Sequence, residues 1–281
     1  AAAVDLHAAG LLGRHVRGGP EDAVLEGGVD RGGDAVADEA EVVSFQDYPI
    51  MKIGLLECDH VLEQFRSIAG DYRDMFQAWL PQAEFAFFDA CNGHFPADDD
   101  DCDAYMCTGS KYSVYDDVDW ILELKAFVKK VYAGNKKFVG VCFGHQMLGE
   151  ALGGKVQKAP AGWNVGAHSF ELLQRETWME PFQSPVRVLM MCQDQVLVLP
   201  PGSTVLARAA TCPVAMFRVG DRMLGIQGHP EFPVAYEAAL LESRRERIGN
   251  EKTDAGLESL SLPVDRERVG EWVMRFLESP K

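Results

Sequence analysis

The chain has no apolar run approaching the ~20 residues that a helical membrane span requires, and its N-terminus lacks the compact apolar core of a secretory signal. It is also poor in positive charge. Twenty-seven Lys and Arg stand against 43 Asp and Glu, a formal net charge of −16. That excess repels phosphate backbones and anionic headgroups, so neither nucleic acid nor a membrane is expected as a partner. Cysteines are few: seven, an odd number, with no C-x-x-C pair. A chain of 281 residues can bury a full core without disulfide staples, and a reducing, cytoplasmic compartment is expected. Cys58, His60, Cys91, His94, Cys102 and Cys107 carry metal-ligating groups, but without close pairs they lack the spacing of a zinc site. The thiols read as small hydrophobes in the core, and neither a metal nor a cofactor is expected.

Residues 1 to about 48 lack lysine and tryptophan, are rich in Ala, Gly, Val and Asp, and repeat Gly-Gly at 18–19, 27–28 and 32–33. No helical or alternating pattern persists there. Residues 1–50 therefore read as a disordered, targeting or non-native extension, and residues 51–281 as the folded domain. Its first strand is expected at Met51-Lys52-Ile53-Gly54-Leu55-Leu56-Glu57.

From Met51 onward the elements alternate. Phe65, Ile68, Tyr72, Phe76 and Trp79 form an apolar stripe that predicts one helix over 61–80. A buried strand is expected at Phe85–Phe88, a solvated loop at Asp98–Asp101 and a strand over Ala104–Cys107 that ends at a glycine turn. Asp116, Asp117 and Asp119 are expected to cap a helix running from Trp120 to Tyr132. Short strands follow near Val156, at 170–173, 186–191, 205–209, 215–219 and 223–227, with closing helices over 234–247 and 265–277. Helix-separated strands first, then a run of short ones, predict an α/β fold: a mainly parallel sheet with helices on both faces and an antiparallel extension. The carboxyl ends of the parallel strands should hold the site.

The chemistry concentrates in two segments. Lys136-Lys137-Phe138-Val139-Gly140-Val141-Cys142-Phe143-Gly144-His145-Gln146 sets a cysteine between two glycines, with a strand before it and a helix after it. This is the context of a nucleophile elbow, with cysteine in place of serine. The elbow aims the sulfur near the positive end of the next helix, where a thiolate is favoured. Gly225-Ile226-Gln227-Gly228-His229-Pro230-Glu231 supplies a histidine and a carboxylate two residues apart. Cys142 is the candidate nucleophile, His229 the base that takes its proton, and Glu231 the group that fixes the imidazole tautomer. An oxyanion needs two donors. The Phe143 amide, immediately after the nucleophile, supplies one, and the Thr108-Gly109-Ser110-Lys111 turn is the candidate for the other, through Gly109. Gln146 reads either as an amide presented to a substrate or as an exposed helix glutamine, and His145 is given no proton-transfer role.

Together with C-T-G-S-K-Y-S-V-Y-D-D, G-H-Q-M-L-G-E-A-L-G-G-K-V and C-Q-D-Q-V-L-V-L-P-P-G, these motifs resemble the class I glutamine amidotransferase family. Within it the chain is similar to the free-standing branch that includes the plant γ-glutamyl peptidases. The resemblance runs in order from Met51 to about Leu240. It implies a flavodoxin-like sheet, a Cys142–His229–Glu231 triad and an oxyanion hole at Gly109 and Phe143. It also implies a γ-glutamyl thioester intermediate and a small-molecule γ-glutamyl substrate seated by Ser110, Gln146, Gln193 and Asp194. Many members carry histidine where this chain has Cys192, ahead of Gln193-Asp194-Gln195-Val196. No synthetase domain is expected after Leu240. The leading expectation is an amidotransferase that cleaves the γ-glutamyl amide of glutamine and passes the ammonia to a separate synthase subunit. The alternative is a γ-glutamyl peptidase that acts alone. A regulatory scaffold that keeps the fold is a third reading, which the intact triad opposes.

Overall fold

The computed structural model describes residues 51–98 and 100–280; the extension expected at 1–50 lies outside the described residues. The first half of the chain builds β1 (Lys52–Leu56), α1 (Arg66–Ala69), α2 (Tyr72–Trp79), β2 (Glu84–Phe88), β3 (Ala104–Cys107), α3 (Asp119–Ala133), β4 (Lys137–Val141) and α4 (Phe143–Ala151). There follow β5 (Lys155–Lys158), β6 (Asn164–Leu172), β7 (Val186–Cys192), β8 (Asp194–Val198), β9 (Ser203–Ala209), β10 (Cys212–Val219) and β11 (Met223–Ile226). Four helices close the chain: α5 (Val234–Ser243), α6 (Arg245–Ile248), α7 (Asn250–Ser259) and α8 (Arg266–Glu278). Among the described residues no helix is long and apolar enough to cross a membrane.

Nine strands form one mixed sheet in the order β2-β1-β3-β4-β11-β10-β9-β6-β7. From β2 to β11 every pairing is parallel, and from β11 to β7 every pairing is antiparallel. The alternation of side chains along each strand divides the core. Ile53, Leu55, Ala104, Met106, Val139 and Val141 face one side, where Phe76, Trp79, Trp272 and Phe276 of α2 and α8 cover them. Tyr105, Cys107 and Phe138 face the other, under Trp120, Leu124, Phe127 and Met147 of α3 and α4.

Three local expectations are corrected. The helix expected over 61–80 is broken: Gly70 takes φ +76°, and Asp71 then caps α2 in a reciprocal box with Asp74. A glycine free to turn followed by a good N-cap outweighs the continuous apolar stripe. The cap residue of α3 is Val118, with no side-chain cap bond; only Asp119 lies in its first turn, and Asp116 instead accepts from the Ser113 amide. The stretch 194–198, which carried no strand expectation, is β8, paired with β5 in a separate two-stranded sheet.

Candidate active site

The nucleophile elbow is enforced by contact. A Cβ on Gly140 would lie 2.2 Å from the carbonyl oxygen of Gly144, and a Cβ on Gly144 would lie 2.5 Å from the carbonyl oxygen of Cys107. Neither obstacle is a flexible side chain, so both glycines are required for α4 to start directly above the sheet. Cys142 itself stands at φ +51°, one of two non-glycine residues with positive φ among those described. Strain of this kind persists where the surroundings over-determine it, as at strand-to-helix turns that lift a nucleophile. The Cys142 amide donates to Ile226 O at 2.8 Å, and its carbonyl accepts from Gln146 N at 3.0 Å.

Val141 and Ile226 are directly opposite in the β4–β11 pairing. Two adjacent parallel strands therefore deliver Cys142 and His229 to the same edge of the sheet. His229 Nδ1 lies 2.7 Å from Glu231 Oε1, and both side chains are buried. Phe232 stacks on the imidazole, with ring centroids 3.9 Å apart and planes 12° from parallel. The His229 amide donates to Leu189 O at 2.7 Å, which ties the turn to β7. With Nδ1 taken by the carboxylate, Nε2 is the nitrogen left to hydrogen-bond the Cys142 sulfur. Burial works against a charged imidazole here. The charges of Cys142 and Glu231, with their hydrogen bonds, outweigh it and raise the His229 pKa well above the ordinary histidine value. The Gly109 turn lies against the same ring: a Cβ there would come 2.7 Å from His229 Cε1.

The residues expected to seat a substrate are partly tied into the fold. Gln146 is buried, and its Nε2 donates to Asp194 O at 2.8 Å and to Gln227 Oε1 at 3.3 Å. Asp194 Oδ2 accepts from Ser113 Oγ at 2.6 Å, and Ser110 Oγ accepts from the Tyr112 amide at 3.2 Å. Gln193 O accepts from the Ala159 amide at 2.9 Å. Ser110, Gln146, Gln193 and Asp194 all line one cavity with Cys142. His145 is fully buried and edge-on to Phe217, and burial pushes its pKa down to about 3, so it stays neutral.

The profile described as glutamine amidotransferase class-I matches residues 103–242. Gamma-glutamyl peptidase 3 of Arabidopsis thaliana is 33% identical over 189 residues, 63% of this chain and 75% of that protein. The chain belongs to the class-I glutamine amidotransferase family. A Schizosaccharomyces pombe protein described as glutamine amidotransferase-like is 27% identical over 245 residues, 80% of this chain and 98% of its own length. A solved glutamine amidotransferase from Thermotoga maritima superposes with a TM-score of 0.63 at 19% identity, covering 82% of this chain and 97% of that one. The flavodoxin-like sheet is the expected one, and the protein is a hydrolase of the glutamine amidotransferase type.

For an amidotransferase-type site, two features escaped the sequence reading. Gln227, at the end of β11, is fully buried and points its Nε2 at Cys142 Sγ, 3.7 Å away. A glutamine between a strand and a Gly-His turn carries no signal of that role. The second feature is the rim of the cavity, where Lys111, Lys158, Arg244 and Arg247 gather although the chain is strongly acidic. Lys111 pairs with Asp59 at 2.7 Å, and Arg247 lies over the Trp163 ring at 5.6 Å. Lys158 and Arg244 make no side-chain hydrogen bond or ion pair among the described residues. Cys192 also lines the cavity, and burial first, then the charges of Cys142 and Cys212, raise its pKa well above the usual thiol value.

Proposed function

We propose that the protein hydrolyses the γ-glutamyl amide bond of small γ-glutamyl peptides, with Cys142, His229 and Glu231 as its catalytic triad. The observation that carries the chemistry is the Glu231–His229 contact at 2.7 Å facing the sulfur at the elbow. His229 Nε2 takes the proton of the Cys142 thiol as the sulfur attacks. The sulfur adds to the amide carbonyl, and the amides of Gly109 and Phe143 receive the oxyanion. Collapse breaks the C–N bond, and the imidazolium gives its proton to the departing amine. Water, deprotonated by His229, then cleaves the γ-glutamyl thioester, releasing glutamate and restoring the thiol. Each turnover consumes one water and yields glutamate and one amine.

The sequence ranked ammonia donation to a separate synthase ahead of peptide hydrolysis. Two observations favour the reverse order. The curated relative cited first is named a gamma-glutamyl peptidase and aligns over three quarters of its length. The cationic rim of the cavity, with Arg244 unpaired, suits a leaving group that carries its own carboxylate, which glutamine does not offer.

Glutamate release by the purified protein decides between them, with glutamine, glutathione and glutathione C-terminal amide compared and the Cys142→Ala protein as blank. Turnover of the free peptide well above that of glutamine and of the amide is expected. Turnover of glutamine alone would return the protein to the amidotransferase reading. Unchanged turnover in Cys142→Ala would remove the triad.

A further inference from the structure

The carboxyl ends of β1 and β2 bring together a group of side chains that the triad does not use. His60 leaves the loop after β1, and Asp89 and Cys91 lie just beyond β2. Their ligand atoms all fall within 4.8 Å of one another, and all three side chains are half-buried. His60 Nε2 is 3.2 Å from Asp89 Oδ1, and Cys91 Sγ is 3.3 Å from the same oxygen. On its other side, His60 Nδ1 is 3.0 Å from Asp71 Oδ2. Asp71 is itself held by the amides of Val61 and Tyr72, each at 2.8 Å.

We propose that His60, Asp89 and Cys91 form a binding site for a zinc-like divalent cation, oriented by Asp71 and completed by water.

Three features carry this. First, the two edges that meet at Asp89 fit. Zinc bonds of ordinary length at tetrahedral angles put a nitrogen and an oxygen ligand about 3.4 Å apart, and a sulfur and an oxygen about 3.6 Å apart. The observed 3.2 and 3.3 Å are within a few tenths of an ångström of those edges. Second, His60 and Cys91 converge on one carboxylate oxygen. Asp89 Oδ1 faces His60 Nε2 and Cys91 Sγ, while Asn92 Nδ2 is shared between Oδ1 at 3.1 Å and Oδ2 at 3.0 Å. A cation that takes the place of the imidazole and thiol protons is then held by all three groups at once. Third, the Asp71–His60 contact has the form of the outer-shell carboxylate that fixes a ligating histidine, leaving Nε2 for the metal. Mixed N, O and S donors select zinc over magnesium or calcium. Binding releases the Cys91 proton, and any second proton held by His60, to water. Sequence spacing concealed the group because Asp89, the shared ligand, is an ordinary acid at a strand end. His60 and Cys91 come together only through the β1–β2 pairing.

The test uses the full chain carrying Cys142→Ala, so that the active-site sulfur cannot compete. It is titrated with Zn²⁺ calorimetrically and with Co²⁺ by absorption. One equivalent of zinc and a near-ultraviolet cobalt–thiolate band are expected. Cys91→Ser should abolish the band, His60→Gln should weaken zinc binding about 100-fold, and Asp71→Asn about 10-fold. Zinc should also protect Cys91 from alkylation in the unsubstituted protein, as read by peptide mapping, which requires no variant to fold. No binding, a cobalt–thiolate band that survives Cys91→Ser, or alkylation of Cys91 unaffected by zinc would each overturn the site.

Discussion

The parallel and antiparallel halves of the sheet contribute to the site in different ways. In the parallel half, the candidate triad and oxyanion residues lie one to five positions beyond the ends of β3, β4 and β11. All parallel strands end on the same edge, so residues distant in sequence meet there without further instruction. In the antiparallel half successive strands end on opposite edges, and the corner where β6 begins and β7 ends lines the cavity, through Trp163, Met191, Cys192, Gln193 and Asp194. The candidate chemistry thus sits on the parallel half, while the antiparallel half and the α5–α6 junction line the cavity beside it. β11 belongs to both, and it leads into the candidate base, His229.

Substitutions that act on one half at a time test this division. Gly140→Ala should have the largest effect, because its new methyl has nowhere to go within 2.2 Å of the Gly144 backbone. Insolubility or a loss of several kcal/mol in urea unfolding is expected. The control is Gly202→Ala, at a turn with φ +77° and open space around it, which should cost only about 1 kcal/mol. Equal costs would contradict the claim that the elbow is sterically locked. Next comes Glu231→Gln, which leaves the fold intact but weakens the hold on the imidazole. A drop in kcat of about 100-fold is expected, and a change confined to KM would argue against the orienting role.

A third prediction concerns α5, which packs behind His229. Glu237 is fully buried, accepts from the Gly166 amide at 3.2 Å, and is pushed up to about 7 by burial. Its folded-state pKa lies above its ordinary value, so its contribution to stability is complete at pH 4 and is lost as pH rises through about 7. Glu237→Gln should therefore be more stable than the parent at pH 8, by on the order of 3 kcal/mol, with no advantage at pH 4. Parallel pH–stability curves for the two proteins would refute the assignment. The smallest effect is expected from Arg244→Gln: a rise in KM of about 10-fold for glutathione, with glutamine turnover unchanged. Equal losses on both substrates would mean that Arg244 does not read the leaving group.

The two halves also differed in how far they could be read from sequence. The elbow at Cys142 was legible because it requires small residues at fixed offsets, and the backbone leaves no alternative. β4 and β11, buried on both faces, announced themselves as short apolar runs. The break at Gly70 was hidden because the apolar stripe continues across it. β8 was missed because its partner β5 lies some forty residues earlier and its first residues, Asp194 and Gln195, are polar although buried. α7 was missed because only Thr253 and Gly256 are buried in it, so it has no apolar face to detect. Gln227 comes to Cys142, and Arg244 to the cavity, through tertiary placement alone, which no local pattern records.

The 2.8 Å bond from the Cys142 amide to Ile226 O joins the strand of the candidate nucleophile to that of the candidate base. That single peptide hydrogen is consequently a reporter for the whole catalytic seam. It can exchange with deuterated solvent only when β4 and β11 part at their carboxyl ends, so its exchange rate would record how often thiol and imidazole lose each other.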